Sequence, residues 1–439
     1  MRKLVAFLLT GLALYGAYWF AANRLFDEGS YRKQVAFGSV FVPFGWAYAL
    51  GFLGALVLLV LLYSLLYTAL VNRLQGRRKS PWPLFLQGVT HLFLWVLILL
   101  VYYPVVQVVA ASFDPTNNLF SFRRPDTGFL LVDAKAIPYL SNPCLENYAK
   151  LVEGVVLYPY QVALALLAGL ALLGVGIVGL LRRLLAPEAW MDFWQGRLLF
   201  LMALLVFALA LSLSPRQFTG QGTETKFLLW VRNTFLISGL TGLLAVLLTA
   251  TAGYAFARFR HLPGRYPMLL FFIFVQMFPG FLALVAIYYL LSWLDLLNTF
   301  TGLVLAYSGG IISFGTWVYK GYLESISPSL EEAAMVDGAT RWQVFTKILL
   351  PLSAPMFVFI FLLQFVGTYS EFVLANLVLT GVESWNVGVG LRSFTTGQFQ
   401  TKWGVFAAAS VLGSLPILFL FYGFQQYFVS GYTAGAVKE

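Results

Sequence analysis

The chain has 439 residues, of which 60% are hydrophobic and only 10% charged, against roughly 25% charged in an ordinary soluble domain; its mean hydropathy is +0.81. These values exclude a soluble globular protein. The net charge of +10 comes from 28 basic and 18 acidic residues scattered between long apolar runs, so neither disorder nor a nucleic-acid-binding stripe is encoded. One cysteine, Cys144, and two histidines, His91 and His261, leave no disulfide framework, zinc finger or redox pair within one chain.

Crossing a hydrocarbon core of roughly 30 Å takes about 20 helical residues. Ten apolar stretches meet that length in chain order: 4–23, 45–71, 87–112, 157–181, 198–214, 233–257, 266–291, 299–319, 354–379 and 404–427. The runs are Leu-rich and continuous, without the period-2 alternation of barrel strands, so helices are predicted. The fold class is an all-α integral membrane protein of about ten transmembrane helices. The first run follows Arg2 and Lys3 like a signal peptide, yet it continues through Tyr18, Trp19 and Phe20 with no small-residue cleavage site and reads as an uncleaved helix. With the N-terminus inside, the inner segments hold the larger share of the Lys and Arg, including Arg73, Arg77, Arg78 and Lys79 in one loop and Arg258, Arg260 and Arg265 in another. Both termini are then cytoplasmic, residues 320–353 fall inside, and the long loop 113–156 falls outside.

Only one long inner segment has helix grammar of its own. Ser327 can cap a helix with Pro328 at its first position, Ser329 and Glu332 have capping-box spacing, and Gly338 supplies a stop. Thr340, again in capping-box spacing with Gln343, can open a second helix that runs to Pro351. On the first helix Leu330, Ala333, Ala334 and Asp337 share a slim face, with Glu331 and Glu332 as a carboxylate edge. Such a helix suits a groove in another protein better than an anionic bilayer surface.

Glu332, Ala333, Ala334, Asp337, Gly338, Ala339, Phe345, Ile348, Leu350 and Pro351 together resemble the EAA loop of ABC-importer permeases. The stretches 276–291 (QMFPGFLALVAIYYLL), 254–260 (YAFARFR) and 431–439 (GYTAGAVKE) are similar to the smaller permeases of maltose/maltodextrin importers. The resemblance covers about 87 to 439, interrupted by an insert. It implies a type I importer core of six helices, here joined by two N-terminal helices and an inserted helical hairpin. The corresponding divisions are 1–86, an N-terminal extension; 87–156, the first core helix and external loop; 157–214, the inserted hairpin; and 215–439, the core with coupling segment 320–353 and tail 428–439. Each addition is an even number of spans, so later loops keep their sides.

The same resemblance implies an inner-membrane subunit of a bacterial sugar importer. Its expected partners are a second homologous permease, a homodimeric cytoplasmic ATPase carrying the ATP and Mg, an external sugar-binding protein, the sugar itself and membrane lipid, with no nucleic acid. No P-loop is present in the chain, and no cofactor or metal is expected in it. Leu330, Glu331, Glu332, Ala333, Ala334, Asp337, Gly338 and Ala339 would couple to the ATPase, and Thr433, Ala434 and Gly435 in the tail would touch it. Trp385, Arg392 and Phe394 would contact the binding protein, and Tyr288, Tyr307, Tyr369 and Glu371 are the candidates for the translocation path. Two other readings remain at this point: an ion-coupled carrier using Glu371, and a membrane-embedded glycosyltransferase.

Overall fold

The computed structural model describes residues 45–75, 80–115, 143–185, 188–218, 225–259, 263–395 and 401–436, together with residues 11, 35, 36, 39, 40 and 261. Nine of the ten predicted spans fall on described helices; the first, 4–23, lies outside them apart from Gly11. Six of these helices are individually long and apolar enough to cross a membrane, and two bent helix pairs raise the number to eight. The all-helical membrane fold predicted from the apolar runs is therefore present, with a two-residue strand pairing, β1 (Val35–Ala36) against β2 (Ser39–Val40), beside it.

The chain divides into two compact units. One holds residues 1–110 and 119–142, the other 111–118 and 143–439. In the first, α1 (Gly45–Gln75) packs on α2 (Trp82–Ser112) where Gly88 lets Val60 approach, beside buried Leu56 and Leu92. Most other leucines of these two helices are exposed, as a lipid-facing surface requires.

In the second unit α3 (Glu146–Val152) is tied to residues 111–118 by Asn147 Nδ2, which donates to the Ser112 and Asp114 carbonyls at 3.1 and 2.8 Å. The predicted insert is an antiparallel hairpin of α4 (Pro159–Leu185) and α5 (Glu188–Ser212). Its open end is closed by two buried glutamines: Gln217 Nε2 donates to Gln161 Oε1 at 2.7 Å and to the Val156 carbonyl at 2.9 Å, and Gln161 Nε2 donates to the Ser212 carbonyl at 2.9 Å. Ala210 of α5 joins Phe235, Phe365 and Tyr369 in one apolar cluster, so the hairpin is docked on the core, while Leu166, Leu167, Leu170 and Leu173 of α4 stay exposed.

The core itself is built around α6 (Phe227–Arg258), α9 (Phe300–Ser325), α12 (Ala354–Tyr369) and α15 (Trp403–Ala436). Glycines permit the closest approaches: a Cβ on Gly253 would sit 2.6 Å from the Tyr319 ring, one on Gly315 2.2 Å from Thr249 Oγ1, and one on Gly242 2.8 Å from the Phe361 ring. Several span boundaries differ from expectation: the span expected from 198 starts at Glu188, and three others depart in form or length. The span 266–291 is two helices, α7 (Arg265–Met277) and α8 (Gly280–Trp293), bent by 103°, because Pro279 supplies no backbone donor and the residue before it avoids the helical region. The span 354–379 closes at Tyr369 and resumes as the short α13 (Val373–Val378). The last helix runs on through Thr433, Ala434 and Gly435 to Ala436, beyond the boundary expected at 427.

Candidate functional site

The segment between α9 and α12 folds as its sequence grammar predicts, with one exception. Helix α10 (Pro328–Val336) starts at Pro328 with Ser327 as its cap, the Ser327 hydroxyl accepting from Ser329 N at 3.4 Å. The Ser329–Glu332 capping box does not form, because Ser329 already lies inside the first turn. At the other end Gly338 has φ +90°. There Ala339 N donates to the Ala334 carbonyl at 2.9 Å and Gly338 N to the Met335 carbonyl at 3.1 Å, the paired bonds of a Schellman stop. The alanine and glycine positions of the motif are thus two ends of one capping arrangement. Helix α11 (Arg341–Leu352) opens with the predicted capping box, Thr340 N donating to Gln343 Oε1 at 2.8 Å and Gln343 N to Thr340 Oγ1 at 3.3 Å. A wide turn over Val344–Leu349 leads to a 70° bend into α12.

Of the predicted coupling residues, Leu330, Glu332, Ala333, Asp337 and Gly338 are exposed, and Ala334 and Ala339 half-buried. Glu331 is turned the other way: it is only 8% exposed, and its Oε1 accepts from Arg258 Nε at 2.5 Å. Arg258 Nη2 also donates to the Ile326 carbonyl at 3.2 Å. The guanidinium therefore ties the end of α6 to both the entry and the inner face of α10. Beside this pair lies a cavity of about 370 Å³ lined by Tyr254, Arg258, Glu331, Glu332, Met335 and Arg341 among others. Tyr254 packs at a 30° tilt on Phe345, 4.6 Å between ring centroids, and Phe345 and Leu349 are buried with Tyr319 and Leu323. The sequence reading missed Arg258 as a partner, since 73 residues separate it from Glu331; the available signal was an arginine at the end of a long apolar run, the first of the basic residues Arg258, Arg260 and Arg265.

At the opposite end of α6, the loop after α13 is a folded unit. Helix α14 (Val387–Ser393) is capped by Asn386, whose side chain accepts from Val389 N at 2.9 Å. Three residues of α6 and its N-cap, Lys226, hold the approach to it. Lys226 Nζ pairs with Glu383 at 3.1 Å, and Trp230 Nε1 donates to the Val382 carbonyl at 2.9 Å. Asn233 Nδ2 donates to the Glu383 and Trp385 carbonyls at 2.7 and 2.9 Å, and Thr234 Oγ1 accepts from Val387 N at 2.8 Å. Asn298, at φ +58°, adds a second anchor by accepting from Thr380 N, Gly381 N and the Ser384 hydroxyl. Of the three residues expected to face a binding protein, Arg392 is exposed and donates to Asn376 Oδ1 at 2.7 Å. Trp385 is half-buried against Trp230, and Phe394 is buried against the same indole.

The four path candidates separate. Tyr307 and Glu371 meet, the tyrosine hydroxyl donating to the carboxylate. The same carboxylate accepts from Leu374 N at 2.8 Å and Ala375 N at 3.1 Å, at the start of α13. Tyr369 is buried and donates to the Gly413 carbonyl at 2.9 Å, and Tyr288 is exposed on α8 beside Tyr289. The side chains of Thr433, Ala434 and Gly435 lie outside the described residues.

This combination defines a membrane permease subunit with a protruding helix at one end of its core and a braced loop at the other. Residues 245–433 match the family model described as "Binding-protein-dependent transport system inner membrane component". Over 238 residues the chain is 43% identical to the maltose/maltodextrin transport system permease protein MalG of Salmonella typhimurium, and 42% identical to that of Escherichia coli K12; each match covers 52% of this chain and 79% of the relative. A bacterial ABC transporter involved in the import of the acidic polysaccharide alginate is similar at 22% identity and TM-score 0.43, over 47% of this chain and 76% of its own. The chain belongs to the binding-protein-dependent transport system inner membrane component family. It is a multi-pass inner-membrane permease subunit of an ABC importer, a transport subunit rather than an enzyme, that works with an ATPase on a separate chain and with a binding protein.

Proposed function

We propose that the chain forms half of the translocation path of an ATP-driven sugar importer, for maltose, maltodextrin or a related glucoside. It pairs with a second, homologous permease and rests on a homodimer of cytoplasmic ATPases that carry ATP and Mg. The observation that carries this reading is the α10 helix, fixed at both ends yet presenting Leu330, Glu332 and Ala333 outward, in a chain 43% identical to a maltose/maltodextrin permease. Glu332 anchors the ATPase contact, and Leu330, Ala333 and Ala334 fill its cleft. Asp337, Gly338 and Ala339 form the stop that orients the helix, and Glu331 holds its inner face to Arg258. Thr433, Ala434 and Gly435 reach the ATPase from the end of α15.

On this reading α10 and both termini are cytoplasmic, and the braced loop 380–395 faces outward, offering Arg392 to a sugar-loaded binding protein. Closure of the ATPases moves α10 and switches the bundle between inward- and outward-facing states. Tyr307 and Glu371 stand nearest to a polar position on the path. Residues 1–86 and 157–214 are additions around a core made of 87–156 and 215–439; the family match at 245–433 lies wholly within that core. An ion-coupled carrier is disfavoured because the Glu371 carboxylate is taken up by three donors. Purification of the tagged chain from its native membrane in gentle detergent tests the reading. A second permease and an ATPase should be recovered with it, and hydrolysis should rise when maltose-loaded binding protein is added. A stable chain recovered without an ATPase would overturn it.

A further inference from the structure

Among the described residues, helix α6 is bonded to both of the segments assigned to outside partners. It is a single helix of 32 residues with no proline, roughly 48 Å long at the helical rise. Its N-cap Lys226 and its first turns grip the outer loop, the latter through Trp230, Asn233 and Thr234. Its last turn grips the coupling helix through Arg258, on Glu331 and on the Ile326 carbonyl. Between these ends, Gly242 and Gly253 press it against Phe361 of α12 and Tyr319 of α9, the two helices that enter and leave the coupling segment. A displacement of the outer loop along α6 therefore has a continuous packed route to α10.

We infer that α6 is the strut through which engagement of the binding protein outside is read by the coupling helix inside, with Asn233 and Arg258 as its positioning residues. The inference rests on the importer reading above. Asn233 Nδ2 donates to backbone carbonyls of the loop while its Oδ1 accepts from Arg232 Nη1 at 3.2 Å, and Arg258 faces the inner side of α10; each acts through another segment. Loosening either end should leave both partners bound while weakening the response of one to the other.

The test is ATP hydrolysis by the complete complex in lipid nanodiscs, with and without maltose-loaded binding protein. Asn233→Ala should lower the maximal stimulated rate several-fold, with basal rate, co-purified ATPase and half-saturating binding-protein concentration unchanged. Arg258→Gln should lower the stimulated-to-basal ratio similarly, and the exchange Arg258→Glu with Glu331→Arg should recover part of it, since it restores the ion pair but not the bond to the Ile326 carbonyl. The combined Asn233→Ala, Arg258→Gln protein should respond no worse than the weaker single variant, because both interrupt one route. Should Asn233→Ala fail to assemble, Trp230→Phe removes a single donor to the same loop and should show the same loss in smaller measure. Full stimulation in the assembled single variants, or losses that multiply in the combination, would overturn the strut. A wild-type complex that lacks an ATPase or any stimulation would instead overturn the importer reading, and the strut with it.

Discussion

The segment 326–352 and the loop 380–395 carry the two candidate partner surfaces, and they are held in opposite ways. The first is fixed largely by its own neighbours in sequence: Ser327 with Ser329, Thr340 with Gln343, Gly338 and Ala339 with Met335 and Ala334. The second is held from a distance, by Trp230, Asn233 and Thr234 across about 150 residues of chain and by Asn298 across more than 80. A locally capped helix can move as a rigid piece while its ends stay formed. A loop pinned by side chains of another helix keeps its shape only while that helix stays in register. The locally capped element is thus suited to move as a unit with a partner, and the braced one to transmit what presses on it.

Substitutions can break that contrast at either end. The largest effect is expected at Glu332, which is exposed on α10. Glu332→Lys should insert and fold normally yet abolish binding-protein-stimulated hydrolysis; normal hydrolysis in that variant removes α10 as the coupling element. Next in size is Phe394→Ala. The ring is 7% exposed and packs with Trp230, Val387 and Val405, so its removal should cost about 3–5 kcal/mol of stability, read as a lower unfolding midpoint in detergent. Arg392→Ala, two residues earlier and exposed, should change stability by no more than about 0.5 kcal/mol while raising the concentration of binding protein needed for half-maximal stimulation. If Arg392→Ala unfolds the loop and Phe394→Ala does not, the assignment of inner and outer faces in 380–395 is reversed.

The same contrast explains what was legible beforehand. Apolar run length located the spans, and Pro328, Gly338, Thr340 and Gln343 spelled out α10 and α11, because capping is written within a few residues. The 103° bend was also written locally, in Pro279–Gly280, but an uninterrupted apolar run masked it. The pairs Arg258–Glu331, Tyr307–Glu371, Gln161–Gln217 and Asn233 with the loop carbonyls are between 56 and 152 residues apart. Such distances leave only a polar side chain inside an apolar helix as a hint, without naming its partner. Exposure was harder still: Trp385, Arg392 and Phe394 were indistinguishable as contact residues until the indole of Trp230 was placed beneath two of them.

The smallest expected effect is also the cleanest probe of the locally built segment. A Cβ added at Gly338 meets nothing within 4 Å, so Gly338→Ala loses no contact and creates no clash with other residues. Its only penalty is the backbone conformation, φ +90°, worth about 1 kcal/mol for an L-residue. Thr340→Ala, which removes one half of the α11 capping box, should cost about the same. Neither change touches α6, so amide exchange should quicken across 333–343 while protection of 382–389 stays as in the wild type. Equal loosening of both regions would mean that the outer loop depends on the caps of the inner segment, and the division between local and distant anchoring would not hold.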